Sequence, residues 1–178
     1  MNTYYDMLES PIGTLTLISN GKELTGLYMD GGTGRRGEGA IAHADSVVKA
    51  EWIRDAGAAP FRLAKEQLYA YFAGTLKEFD IPLAAEGTLF QQCVWNELRK
   101  IPYGITISYG ELAARISNPK GSRAVGLANG RNPISIIVPC HRVIGSNGKL
   151  VGYGGGLDRK IWLLELEQNS TNQLNIAY

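Results

Sequence analysis

A short extended segment over residues 79–83 leads out of the first half of the chain, and it predicts a boundary between two parts near residues 81–88. Before it, residues 13–18 alternate apolar with polar side chains, which predicts a strand. An Asn-Gly pair at 20–21 predicts a two-residue turn into a return strand over residues 23–29. Apolar residues at helical spacing predict a helix over residues 60–76. The first part is therefore predicted to pair an antiparallel hairpin with a helix.

Helix-start signals dominate the second part. In a capping box, a Ser or Thr is followed three residues later by Glu or Gln. Two such pairs in this part are Thr88 with Gln91 and Ser108 with Glu111. The second opens a short helix over 111–116, and a turn containing Gly leads to a helix over 123–130 capped by Ser122. Two short helices around such a turn predict a helix-turn-helix.

The second of these helices is rich in small residues, among them Ala124, Gly126 and Ala128. Such a surface suits close approach to another molecule, and it suits equally well tight packing against a neighbouring helix. From this organisation we predict a scaffold domain over residues 1–84, a working domain over residues 85–170 and a flexible tail over residues 171–178.

Charge is unevenly divided between the two parts. The net charge of +1 argues by itself against a nucleic-acid partner. Residues 1–87, however, hold 8 basic and 12 acidic side chains, whereas residues 88–178 hold 10 basic and 5 acidic. Such asymmetry fits a nucleic-acid or membrane partner, and it fits two solvated faces of opposite bias. No apolar run is long enough to cross a membrane, so a membrane partner is not expected.

Cys140 is the strongest candidate for chemistry. The apolar residues 134–138 predict a buried strand, and Pro139 ends it, so Cys140 lies at its exit. His141, Arg142 and Arg131 lie close in sequence, a setting that favours the nucleophilic thiolate, and the alternative is an inert buried thiol, the commoner fate of a single cysteine. Because adjacent side chains point apart in an extended segment, a water is expected to bridge Cys140 and His141.

A glycine-rich segment and a final helix follow the cysteine. Residues 152–156 contain four glycines, which suit either the wall of a pocket for a flat ligand or a plain connector. Residues 158–167 predict a helix with Ile161 and Leu164 facing inward. Glu167 lies at the end of that helix where a carboxylate is unfavourable, so we expect it to have a task such as orienting a histidine.

The sequence Pro139-Cys140-His141-Arg142-Val143-Ile144-Gly145 resembles the methylated-DNA–protein-cysteine methyltransferases, also called 6-O-alkylguanine-DNA alkyltransferases. The resemblance is strong over residues 88–168 and weaker before them. Further matching motifs are Val94-Trp95, Ile101-Pro102-Tyr103-Gly104, Ser108-Tyr109-Gly110, Arg123-Ala124-Val125-Gly126, Asn132-Pro133, residues 153–157 and Trp162-Leu163-Leu164. The resemblance implies an α+β fold with a ribonuclease-H-like N-terminal α/β domain and a mostly helical C-terminal domain that binds DNA.

The family's reaction is implied for the matching residues. An alkylated guanine, or a 4-O-alkylthymine, is flipped out of duplex DNA, and its alkyl group passes irreversibly to Cys140 in a single turnover. His141 is implied as the base acting through water, Glu167 as its orienting partner, and Asn132 as the link to the helix-turn-helix. Tyr109 helps to rotate the nucleotide and protonates the leaving base.

The resemblance also implies the surfaces that hold the substrate. Arg123 takes the place of the flipped nucleotide. The other residues implied at the DNA surface are Tyr109, Ser122, Ala124, Gly126, Ala128 and Asn129. The base pocket is implied to consist of Val143, Tyr153, Gly154 and Gly155, where Gly154 leaves room for alkyl groups larger than methyl.

No cofactor is implied, because the damaged base is itself the alkyl donor. With no cysteine before Cys93 and only His43 in the first part, no metal is expected. The implied partner is double-stranded DNA containing alkylated guanine, bound by a monomer in the cytoplasm, on the nucleoid in a bacterium. Cooperativity on DNA and the roles of Cys93 and of the glycine-rich residues 31–39 stay open.

Two other functions remain alternatives at this point. A helix-turn-helix regulator would carry Cys140 only incidentally. A cysteine hydrolase would use Cys140 with His141, although their adjacency is poor geometry for it.

Overall fold

The N-terminal part is a four-stranded sheet covered by a helix. The structure, a computed structural model, describes residues 2–30 and 48–175. The sheet order is β3-β2-β1-β4, with β1–β2 and β2–β3 antiparallel and β1–β4 parallel. Its elements are β1 (Tyr4–Leu8), β2 (Leu15–Ser19), β3 (Leu24–Met29), β4 (Ile53–Arg54) and helix α1 (Phe61–Phe72). The predicted α+β class is confirmed.

The loop of the β2–β3 hairpin is longer than predicted. The strands end at a Ser19–Leu24 pair, so four residues, 20–23, form the loop. The side-chain oxygen of Asn20 accepts hydrogen bonds from the backbone N–H groups of Lys22 (2.9 Å) and Glu23 (2.8 Å). The prediction of a two-residue turn was wrong. The Asn20 side chain accepts the Glu23 N–H that would otherwise donate to a backbone oxygen of the opposite strand, so strand pairing begins one residue later, at Leu24.

The C-terminal part consists mostly of helices. They are α2 (Leu89–Leu98), α3 (Tyr109–Arg115), α4 (Ser122–Gly130) and α5 (Leu157–Asn175), with a 3₁₀ turn at Cys140–Arg142. A small parallel pair, β5 (Ile107–Ser108) with β6 (Val143–Ile144), brings the start of α3 beside the residues that follow the 3₁₀ turn. Both predicted capping boxes are confirmed. Ser122, in contrast, lies inside α4 and does not cap it, since Gly121 occupies the cap position.

Residues 134–138 are buried, as predicted, but they do not form a strand. Within residues 2–30 and 48–175, one bridge, between Leu27 and Ile134, is their only strand-like pairing. The Asn132 side chain accepts from the backbone N–H of Ile134 (3.0 Å) and donates to the backbone oxygen of Val138 (2.7 Å). Ile136 has a φ of 71°, which no strand residue adopts. The segment therefore folds into a compact turn that carries Cys140 at its end.

The last helix is longer than predicted. It runs to Asn175, so residues 171–175, predicted as a flexible tail, are helical. Its inward face also differs from the prediction, because Leu163 is fully buried whereas Ile161 is 40% exposed. Residues 176–178 and the glycine-rich residues 31–39 lie outside the described part of the chain. Among the helices of the described part, none has both the length and the apolar character that crossing a membrane requires.

One hydrophobic core joins the two parts. Its buried members come from β1–β3 and α1 on one side and from α2–α5 on the other. Backbone bonds also cross between the parts, from Leu27 N to Pro133 O (2.9 Å) and from Ser135 N to Leu27 O (3.2 Å). The sheet edge at β3 therefore supports the turn that presents Cys140.

Candidate active site

Cys140 is a buried thiol at the start of the 3₁₀ turn, with 2% of its surface exposed. Two asparagines fix the backbone around it. Asn132 holds the preceding turn, and Asn129 from α4 donates to the Cys140 carbonyl oxygen (3.4 Å). The predicted role of Asn132 as a link stays a prediction, although its position joins the end of α4 to this turn.

Glu167, His141 and Arg142 form a buried cluster behind the cysteine. His141 Nε2 lies 2.8 Å from Glu167 Oε1, and Arg142 reaches both carboxylate oxygens, from Nη2 to Oε1 (2.9 Å) and from Nε to Oε2 (3.0 Å). Burial alone would raise the pKa of Glu167, but the hydrogen bonds and charges of His141 and Arg142 hold it well below its usual range. Glu167 is therefore an ionised acceptor, positioned as predicted beside His141.

A glycine adds a further donor to this carboxylate. The backbone N–H of Gly104 donates to Glu167 Oε2 (3.0 Å). Gly104 has a φ of 75°, and a Cβ atom there would lie 2.8 Å from Thr171 Oγ1. Only glycine fits this close approach without strain, which explains the Gly in the Tyr103-Gly104 motif.

The geometry fixes the tautomer of His141. An ionised carboxylate can only accept, so Nε2 carries the proton and Nδ1 has the free lone pair. Nδ1 is buried and has no hydrogen-bond partner among the described residues. Burial lowers the pKa of His141, with Arg142 and Lys160 acting in the same direction and Glu167 opposing them. His141 is therefore a neutral base whose proton-accepting atom is Nδ1.

Lys160 supplies the positive charge beside the cysteine. Its ammonium is fully buried and donates to the backbone oxygens of Val143 (2.6 Å) and Val151 (3.3 Å). Burial lowers its pKa to about 8, while Cys140 acts to raise it. Burial likewise raises the pKa of Cys140, and Asn132 and Lys160 oppose that rise. Stabilisation of a thiolate thus depends on nearby donors and on Lys160.

The sequence argument assigned this charge to Arg131 and Arg142. That assignment was wrong, since Arg131 is exposed and Arg142 is committed to Glu167 and to the Ile101 carbonyl oxygen (2.7 Å). Lys160 was missed, although a signal for it exists. The signal is its position: Lys160 lies three, four and seven residues before Leu163, Leu164 and Glu167, which is helical spacing, and all four residues share the buried face of α5.

The glycine-rich segment 152–156 lies against the N-terminal part. Arg159 of α5 donates to the carbonyl oxygens of Ile12 (2.7 Å), Gly155 (3.2 Å) and Asp30. A Cβ atom on Gly155 would lie 2.4 Å from Met29 Sδ, so glycine is required for this contact. Among the residues predicted for a base pocket, Val143 and Tyr153 are buried, whereas Gly154 and Gly155 are partly exposed.

Helices α3 and α4 form the predicted helix-turn-helix. They flank a cavity of about 420 Å³ whose lining includes Tyr109, Gly110, Ser122, Arg123, Gly126 and Gly145. The Tyr109 hydroxyl donates to the Val151 carbonyl oxygen (3.3 Å). Burial, with the charge of Cys140, raises the pKa of Tyr109 to about 12, so this phenol keeps its proton at neutral pH.

Two of the side chains predicted to contact DNA face inward instead. Ala128 and Asn129 are each 3% exposed. The Ala128 carbonyl oxygen accepts from Trp95 Nε1 (2.8 Å), and Asn129 serves the Cys140 backbone. Ser122, Arg123 and Ala124 are exposed and Gly126 is partly exposed, so the accessible face of α4 lies on the side of Arg123. Small size at position 128 thus serves helix packing.

Family models match both parts of the chain. Residues 3–85 match the model described as 6-O-methylguanine DNA methyltransferase, ribonuclease-like domain. Residues 89–169 match the model described as 6-O-methylguanine DNA methyltransferase, DNA binding domain.

Named relatives and solved structures agree with these models. The methylated-DNA–protein-cysteine methyltransferase of Methanosarcina acetivorans is 54% identical over 164 residues, which cover 92% of this chain and 97% of the relative. The protein of the same name from Mycobacterium tuberculosis is 52% identical over 166 residues, which cover 93% of each chain. The crystal structure of Mycobacterium tuberculosis OGT in complex with DNA has a TM-score of 0.81 and 53% identity, with 94% of each chain covered.

Proposed function

The chain belongs to the 6-O-methylguanine DNA methyltransferase family, and from this premise we propose that it is a methylated-DNA–protein-cysteine methyltransferase. It reverses alkylation damage directly, with duplex DNA as its partner. The observation that carries this function is the buried Cys140 thiol beside a neutral His141 whose Nδ1 can accept a proton. Such a pair can produce a nucleophile without a cofactor.

The transfer step exchanges one bond for another at the alkyl carbon. The Cys140 sulfur attacks that carbon, a sulfur–carbon bond forms, and the bond between the carbon and the guanine 6-oxygen breaks. The thiol proton passes through water to His141 Nδ1, and Glu167 stabilises the imidazolium so formed. The leaving guanine carries the electron pair and takes a proton, for which Tyr109 is the proposed donor.

The base reaches the thiol only after leaving the helical stack. We propose that α4 lies along the DNA with Ser122, Ala124 and Gly126 near its surface, and that Arg123 fills the space of the flipped nucleotide. Support for this comes from the exposure of Arg123 and from its place, with Tyr109, among the residues that line the cavity. The flipped base would be held by Val143, Tyr153 and the glycine-rich segment.

Stoichiometry follows from the product. A thioether on Cys140 has no leaving partner, so each molecule acts once, as a monomer on one alkylated guanine or 4-O-alkylthymine. Action on DNA places the protein in the compartment that holds it, which in a bacterium is the cytoplasmic nucleoid. Binding should weaken as salt rises, because phosphate contacts release counterions.

Intact-mass analysis tests this function directly. After exposure to excess duplex DNA containing 6-O-methylguanine, we expect one added methyl per protein molecule, located at Cys140. Cys140→Ser should gain none, while Cys93→Ser, which removes the exposed second thiol, should react as the unmodified chain does. Sequence-specific binding with no adduct would instead indicate a regulator, and many turnovers per molecule would indicate a hydrolase.

A further inference from the structure

Tyr71, in the N-terminal part, reaches the buried cluster of the C-terminal part. Its hydroxyl donates to Glu167 Oε1 at 2.7 Å and lies 3.5 Å from His141 Nε2. Tyr71, His141 and Glu167 are all fully buried. The helical pattern of residues 60–76 accounts for the burial of the Tyr71 ring, but it gives no reason for a hydroxyl at this point.

The surroundings of Tyr71 hold its hydroxyl on the carboxylate. The ring packs against three other aromatic rings, those of Phe72, Phe79 and Tyr103, at centroid distances of 5.6, 5.3 and 6.0 Å. Burial, followed by the charge of Glu167, raises the pKa of Tyr71 well above its ordinary value. The phenol therefore stays protonated and acts as a donor at any pH at which the protein works.

The oxygen that accepts from Tyr71 is also the one that holds His141. Oε1 accepts hydrogen bonds from His141 Nε2 (2.8 Å) and from Arg142 Nη2 (2.9 Å). A carboxylate oxygen that already accepts other donors attracts an imidazolium less strongly, since its negative charge is partly neutralised. Each additional donor on Oε1 thus favours neutral His141, the form that can take a proton.

We propose that Tyr71 is a positioning residue of the transfer reaction: by donating to Glu167 Oε1, its hydroxyl keeps His141 neutral with Nδ1 free to accept the Cys140 proton. The proposal rests on the proposed function for the identity of the reaction, but the effect on His141 belongs to the free protein. The N-terminal part then supplies one member of the catalytic hydrogen-bond network.

Removal of the Tyr71 hydroxyl leaves the other titratable groups around His141 and Glu167 in place. These groups come from every segment that packs against His141 and Glu167. The titratable groups that face His141 and Glu167 are Tyr71 from α1, Tyr103 from the segment after α2, Cys140 and Arg142 from the 3₁₀ turn, Tyr153 from the glycine-rich segment and Lys160 from α5. Replacement of Tyr71 by Phe therefore changes one donor and no formal charge.

The decisive variant is Tyr71→Phe in the full chain. Loss of the hydroxyl should move the His141 titration, followed by NMR in the free protein, upward by about one pH unit. The chain contains two histidines, so a His141→Asn spectrum identifies the signal. The acidic limb of the pH–rate profile for transfer should move by the same amount, and the rate on that limb should fall about tenfold. The plateau at higher pH should change by less than about threefold.

Tyr103→Phe is the matched control. Its ring belongs to the same aromatic cluster, and its hydroxyl makes no hydrogen bond to Glu167 among the described contacts, so neither the titration nor the profile should move. A second test uses Glu167→Gln, in which Tyr71→Phe should add no further shift. An unchanged His141 titration in Tyr71→Phe, or an equal shift in both tyrosine variants, would overturn the proposal. Absence of transfer in the unmodified chain would instead refute the proposed function.

Discussion

The two parts of this molecule contribute to one site in different ways. The C-terminal part holds the thiol, its base and the exposed arginine within a short stretch of sequence, whereas the N-terminal part has no cysteine at all. Yet the N-terminal part also contacts the site, among other places through the Tyr71 hydroxyl on Glu167 and through the Ile12 and Asp30 carbonyls on Arg159. Reactive groups are thus local, while the groups that hold them are distant in sequence.

Glu167 is where the two parts meet, and its replacement should have the largest effect. Glu167→Gln removes the buried charge that partners Arg142 and His141, so unfolding in urea should show a loss of about 3–5 kcal/mol. Hydrogen exchange should quicken both in α1 and in the 3₁₀ turn, because Tyr71 and Arg142 share this carboxylate. Glu66→Gln, on the exposed face of α1, should change stability by less than about 0.5 kcal/mol. A loss confined to the C-terminal part would show that the carboxylate does not join the two parts.

The same carboxylate predicts how stability depends on pH. The pKa of Glu167 is lowered in the folded protein, so its stabilisation is complete above about pH 4.3, the unfolded value, and is lost as the pH falls below it. The pKa of His141 is also lowered, so unfolding takes up a proton below about pH 6.5 and adds to the acid loss. Glu167→Gln should lack the part of the acid loss that comes from protonation of Glu167. If this variant loses stability with acid as steeply as the unmodified chain, the loss does not come from Glu167.

Features that depend on neighbouring residues were predicted correctly from the sequence. Both capping boxes form as predicted, because each depends on residues three positions apart. The Cys140-His141 motif and Glu167 were also identified, through resemblance, whereas the expectation that Glu167 lies at a helix end was wrong, because α5 continues to Asn175. Each of these signals is contained in a few neighbouring residues.

Prediction failed where a distant partner or a backbone exception decides the outcome. The partner of Tyr71 lies 96 residues away, and the two N-terminal partners of Arg159 lie 147 and 129 residues away. Residues 134–138 have the composition of a strand, but the Asn132 side chain and the positive φ of Ile136 turn them back. Ala128 and Asn129 were implied at the DNA surface by the resemblance, but the packing of α4 against α2 and the Cys140 turn buries both.

Another prediction tests whether the C-terminal part alone contacts DNA. Arg123→Ala should slow transfer from duplex DNA about tenfold or more, because nothing then replaces the flipped base. Transfer from free 6-O-benzylguanine, which needs no flipping, should stay unchanged. Arg62→Ala, an exposed arginine on α1, is the control and should affect neither reaction. Equal losses for the two arginines would mean that the acidic N-terminal part also lies on DNA.

The smallest effect is expected at Arg159, which also joins the two parts. Arg159→Met keeps most of the side-chain volume but removes the donors to Ile12, Gly155 and Asp30. We expect about 2 kcal/mol lower stability from the lost charged hydrogen bonds, and transfer slowed about two- to fivefold as the glycine-rich segment loses its anchor. Arg159→Lys should recover little, because an ammonium lacks the planar fork that reaches three carbonyls. Reduced stability with an unchanged transfer rate would show that Arg159 only joins the two parts, leaving Tyr71 as the one N-terminal group that acts on the chemistry.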